Sequence, residues 1–215
     1  MISISLFAAL EYNYITLVGG GYLDVPYDEL VVSVGCEPNT FGTPGVVEHG
    51  LFLKEIEHGQ AVQNRVLSCL ESAAAMDAAG APTADLQKML HFVIVGGGPT
   101  GVELSAELSD FIKSDVKARF PRVAEHVQIT LVEAMPRVLA MFDPSLTDYA
   151  VHHLTERGVE VLVNTQVKGI TSDSATVKLP DGSSTTMGAG CPPTTFPRVR
   201  PITRQVCCVS QELEC

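Results

Sequence analysis

HFVIVGGGPTGVELSAEL, residues 91–108, is the stretch from which the fold is read. His91 to Val95 is an apolar run that predicts a buried strand. GGGPTG follows at once. Leu104, Leu108, Phe111 and Ile112 then recur on one side of a helix expected from about Val102 to Val116, which Pro121 stops. Gly96, Gly98 and Gly101 fit G-x-G-x-x-G directly after a strand and before a helix. Gly96 allows the tight turn, Gly98 lets the backbone approach a pyrophosphate, and Gly101 lets helix and strand pack closely. The unpaired N–H groups of the first helical turn face the phosphates, helped by the helix dipole. Gly96, Gly97, Gly98, Pro99, Thr100 and Gly101 are therefore candidate dinucleotide contacts.

Downstream, Val127 to Val132 predicts a second strand ending in Glu133. A carboxylate there can accept hydrogen bonds from the adenosine ribose hydroxyls. Its distance from the last glycine exceeds the usual ~20 residues because the intervening helix and loop are long. Glu133 repels a 2′-phosphate, which favours NADH over NADPH, while Arg137 four residues on keeps NADPH from being excluded. The competing reading is a glycine turn that serves packing only, with Glu133 a solvated strand end. Asp143-Pro144 starts a helix through an acceptor cap and a proline at the first helical position, and Gly158 closes it. Val159 to Val163 is a third strand. Residues 166–171 and 174–179, with Pro-Asp-Gly at 180–182, predict a small antiparallel meander. Strands separated by helices imply parallel βαβ units, hence an α/β, Rossmann-like domain.

Upstream, Leu30 to Val34 reads as a buried strand ending at Gly35, and 36–50 as loop. Val62, Val66 and Leu70 mark a helix that Gly80 and Pro82 break. Gly19-Gly20-Gly21 has Asp24 where a third fingerprint glycine belongs, followed by Pro26, and reads as a turn. After about Met187 the proline-rich sequence has no strand or helix period and is expected to be an irregular tail.

Fourteen Lys and Arg against twenty-five Asp and Glu give a net charge of −11, which argues against a nucleic-acid partner. No apolar run reaches the roughly 18 residues of a membrane span, and no targeting segment is visible. The six cysteines form no CxxC pair and no zinc spacing, so no metal site is expected.

PYDELVVSVGCEPNTFGTPGVVEHGLFLKEIEHG (26–59), HFVIVGGGPTGVELSAELSDF (91–111) and ITLVEAMPRVLAMFD (129–143) together carry a likeness. The chain resembles the type II, non-proton-pumping NADH:quinone oxidoreductases, FAD enzymes of the pyridine nucleotide-disulphide oxidoreductase-like superfamily, over about residues 26–186. The resemblance implies an incomplete FAD-binding domain with a connecting helix at 1–90, an NADH-binding domain at 91–187, and an irregular tail at 188–215. It further implies FAD and NADH as cofactors, a ubiquinone-type acceptor, a homodimer, and peripheral association with the mitochondrial inner membrane. By resemblance Gly35 closes the strand whose end contacts FAD. Glu103 would lie near the nicotinamide–flavin junction, or else be a solvent-facing first-turn carboxylate. The family's first FAD fingerprint and its C-terminal half have no counterpart here, so a partial chain is expected. The alternative function is an NADH-binding module without flavin. No catalytic residue is assigned.

Overall fold

The computed structural model describes residues 38–190 in full. Outside that range it describes the backbone of the short strands Tyr14–Thr16, Tyr22–Asp24, Glu29–Val31, Cys36–Pro38, Thr194–Thr195, Val199–Pro201 and Cys208–Ser210. The chain divides into two units, 1–37 with 201–215, and 38–200. In the first, Tyr14–Thr16 pairs antiparallel with Tyr22–Asp24, and Glu29–Val31 with Cys208–Ser210. Gly35 and the Gly19–Gly21 triplet lie outside the described residues.

The second unit runs α1 (Val46–His49), β1 (Leu51–Phe52), α2 (Ile56–Ala78), α3 (Thr83–Met89), β2 (His91–Val95) and α4 (Pro99–Phe111). It continues with α5 (Pro121–Ala124), β3 (Gln128–Val132), α6 (Pro144–Glu156) and β4 (Val159–Leu162). The last strands are β5 (Gln166–Ile170), β6 (Ser174–Lys178), β7 (Ser184–Gly188) and β8 (Thr194–Thr195). One sheet is parallel throughout, in the order β1-β8-β2-β3-β4. A second is the antiparallel meander β5-β6-β7, whose register shifts between Thr176 and Val177.

Period-two alternation along β2 and β3 sorts the layers. Phe92, Ile94, Ile129 and Leu131 face a large apolar cluster with Val66, Leu70, Leu86, Leu108 and Leu154 from the helices. Val93 and Val132 point the other way, against Ala175, Val177 and Ala189 beneath the meander. The parallel sheet is thus sandwiched between helices and an antiparallel sheet. Leu131 and Leu90 are fully buried, and each such side chain contributes about 1.5–3 kcal/mol by leaving water.

Local chemistry sets the helix ends. Asp143 caps α6 by accepting the Ser145 N–H at 2.9 Å, Pro144 takes the first helical position, and Gly158 follows the helix at φ 79. The hydroxyl and N–H of Ser145 hold the Asp143 carboxyl below its ordinary range, with the nearby Arg137 charge a smaller cause. α4 continues through a π-helical turn, Ile112–Val116, into Lys117–Arg119.

The helix break expected at Gly80 and Pro82 is present: α2 ends at Ala78 and α3 starts at Thr83, with Pro82 tolerated at its mouth. Two expectations are corrected. The 36–50 loop contains the short helix α1. The segment from 188 onward is not wholly outside the core. Gly188 ends β7, Ala189 is fully buried, and the backbone of β8 pairs with both β1 and β2. This backbone pairing, at Leu51–Phe52 of β1 and Ile94–Val95 of β2, needs no side-chain period.

Candidate nucleotide site

β2 ends at Val95, and Gly96 N–H extends its ladder by donating to the Val132 carbonyl at 2.8 Å. Gly96 has φ 112, a conformation that side chains disfavour, so the tight turn requires glycine here. Gly98 is the N-cap of α4 and offers no side-chain cap, with Pro99 at the first helical position. A Cβ placed on Gly98 would meet nothing within 4 Å. That open side, with the unpaired N–H groups of the first turn, is the kind of cradle a pyrophosphate fills. Thr100 is exposed, Pro99 half-buried, and Gly101 buried within α4, where its carbonyl accepts the Ser105 hydroxyl at 2.7 Å.

Glu133 stands one residue beyond β3, half-buried, and its backbone N–H donates to the Leu162 carbonyl at 2.8 Å. Its side chain reaches back to the turn. Oε2 accepts the Gly97 N–H at 2.7 Å and Oε1 accepts the Met135 N–H at 2.7 Å. On the opposite side of Gly97 its carbonyl accepts the Leu139 N–H at 2.7 Å. The fold therefore brings Gly96–Gly101 and Glu133 together, as the sequence expects. Arg137, in the same loop, is half-buried and keeps Nη2 buried with no hydrogen-bond partner.

Glu103 is exposed on α4 and sits past the first turn, because the helix begins at Pro99. The first-turn placement is thus corrected. His152 and His153 lie on the surface of α6 beside Glu156, at 3.2 and 3.5 Å. The sequence reading overlooked Val138 and Leu139. Its available signal was Gly97, the one glycine of the triplet for which the fingerprint gives no reason. Also overlooked was a polar strip at the other end of β2: His91 Nε2 lies 2.9 Å from the Thr130 hydroxyl, which donates to Glu160 at 3.0 Å. Burial pushes the His91 imidazole below its ordinary pKa. A separate cavity of about 480 Å³ lies between α2 and the far half of α4, walled by Val66, Leu70, Leu108, Phe111 and Phe120.

A strand, a glycine turn and an uncapped helix, with an acidic residue after the next parallel strand, define an α/β protein of the Rossmann kind. The chain belongs to the pyridine nucleotide-disulphide oxidoreductase family, whose profile matches residues 7–191. It is 42% identical over 163 residues to the external alternative NAD(P)H-ubiquinone oxidoreductase B4, mitochondrial, of Arabidopsis thaliana, covering 76% of this chain and 28% of that protein. It is also 42% identical over 162 residues to a probable mitochondrial NADH-ubiquinone oxidoreductase of Schizosaccharomyces pombe, covering 74% and 29%. The chain thus spans less than a third of the length of these relatives. Among solved structures, NDH2 from Plasmodium falciparum in complex with NADH superposes with a TM-score of 0.76 at 25% identity, covering 86% of this chain and 37% of that one. A ferredoxin reductase from Rhodopseudomonas palustris shares the fold, with a TM-score of 0.62 at 18% identity.

Proposed function

We propose that this chain is the NADH-binding portion of a FAD-dependent NADH:quinone oxidoreductase, peripheral to the mitochondrial inner membrane and homodimeric. The observation that carries the reading is the glycine turn, open at Gly98 over a helix N-terminus that has no side-chain cap. Relatives whose names specify NAD(P)H, ubiquinone and mitochondria support the acceptor and the location. Among the described residues no helix is long and apolar enough to cross a membrane.

Gly98 gives the pyrophosphate its close approach, and the first-turn N–H groups of α4 hold its charge. Glu133 offers its remaining lone pairs to the ribose hydroxyls and disfavours a 2′-phosphate, so NADH binds more tightly than NADPH. Arg137 keeps the second nucleotide accessible. Glu103 lies toward the nicotinamide end. FAD, when bound, would supply the hydride acceptor between NADH and quinone.

For the 215 residues alone the reading is NADH binding without turnover, because they hold a single G-x-G-x-x-G. The chain has no tryptophan, so the fluorescence of NADH itself reports binding cleanly. Titration should give saturable binding, tighter for NADH than for NADPH, on a colourless protein that does not reduce quinone. No binding of either nucleotide would sink the proposal. Yellow protein with stoichiometric FAD and quinone reduction would replace the binding-only reading with a complete enzyme.

A further inference from the structure

We propose that Glu133 is a positioning residue for the glycine turn, acting through Gly97, in addition to any contact with ribose. Both carboxylate oxygens are engaged by backbone: Oε2 by the Gly97 N–H and Oε1 by the Met135 N–H, each at 2.7 Å. The carbonyl of Gly97 is held as well, by the Leu139 N–H at 2.7 Å. The space where Gly97 lacks a side chain is filled too. A Cβ there would come within 2.6 Å of Val138 Cγ1 and 3.0 Å of Glu133 Cβ. Leu139 itself has φ 49, a left-handed conformation that a leucine keeps only where its surroundings over-determine it. The stretch from Glu133 to Leu139 therefore grips one residue of the turn by its donor, its acceptor and its bare face.

The next residue is Gly98, where the phosphates are expected, so any slip at Gly97 is passed to the cradle and to the start of α4. A carboxylate has about four lone-pair positions, so two remain for ribose hydroxyls while two hold backbone. This reverses a simple expectation. Neutralising an acid that only repels a 2′-phosphate strengthens NADPH binding. In Glu133→Gln, however, the amide nitrogen meets one of the two backbone N–H donors, and the loosened turn weakens both nucleotides.

The test has two arms, and only the second rests on the reading of this site as one for NAD(P)H. First, hydrogen–deuterium exchange is measured on the nucleotide-free full chain. In Glu133→Gln, residues 96–102 and the Met135 amide should exchange about tenfold faster or more, the loss of a charge-assisted hydrogen bond, while 91–95 stays as slow as in the parent. Second, NADH and NADPH are titrated by their own fluorescence, and both should weaken about five- to tenfold. Glu133→Asp keeps the charge but is one methylene short of spanning both donors. It should show the same fast exchange, and it decides the matter if the Gln variant does not fold. Unchanged exchange in the turn, or stronger NADPH binding by Glu133→Gln, overturns the proposal. If the parent binds neither nucleotide the assigned function fails, and the exchange arm still decides the role of Glu133.

Discussion

Gly97 and Gly98 are neighbours in one turn, yet their surroundings are opposite. Gly97 is buried, with no room for a Cβ against Val138 and with both its polar groups bonded to the loop after β3. Gly98 has φ −76 and ψ 179, extended backbone open to any residue, and empty space where its side chain would be. One glycine is required by the protein's own packing. The other is required only if something else comes to lie against it. Two adjacent glycines in a fingerprint can thus answer to different needs, folding for one and ligand for the other.

The comparison can be broken by substitution. Gly97→Ala has the largest expected effect: overpacking against Val138 should cost about 1–3 kcal/mol, a fall in melting temperature of roughly 2–12 °C for a chain of this size, together with loss of NADH binding. Gly98→Ala should leave stability within about 0.5 kcal/mol but weaken NADH at least about tenfold, or about 1.4 kcal/mol. Equal destabilisation by the two variants in thermal melts would erase the distinction.

The smallest effect belongs to the opposite end of β2, where His91 is tied into a strip with Thr130 and Glu160. Because burial lowers the His91 pKa, the unfolded chain binds the proton more readily. The stability tied to neutral His91 is complete above the unfolded value of about 6.5 and declines as pH falls below it toward the folded value. Denaturant melts between pH 7.5 and 5 should show this slope, and His91→Gln should flatten it without changing NADH affinity at pH 7.5. A slope unchanged in the variant would assign the pH dependence to other groups.

Much of the fold was legible because its signals are local. β2 falls on the apolar run read for it, Gly96 turns where a positive φ is needed, and Asp143-Pro144 opens α6. The meander's strands lie within a residue or two of their expected limits. What was hidden acts through space. Glu133 was legible as a strand-end acid, but its grip on Gly97 depends on a loop path that no period encodes. α3 was hidden by the helix-breaking look of Gly80 and Pro82. β8 was hidden because its pairing is backbone only, in a segment whose prolines argue against a strand.

That late strand also bears on how the sheet is assembled. Thr194 aligns with Ile94 on one side and Leu51 on the other, so the seam between β1 and β2 is closed by residues synthesised about a hundred positions after β2. Until then a nascent chain exposes two open strand edges in the middle of the sheet, the state in which strand edges recruit wrong partners. Closing so large a loop for a two-residue pairing returns little enthalpy against its entropy. The seam is therefore the place where refolding should stall and where a chaperone would have the longest time to act.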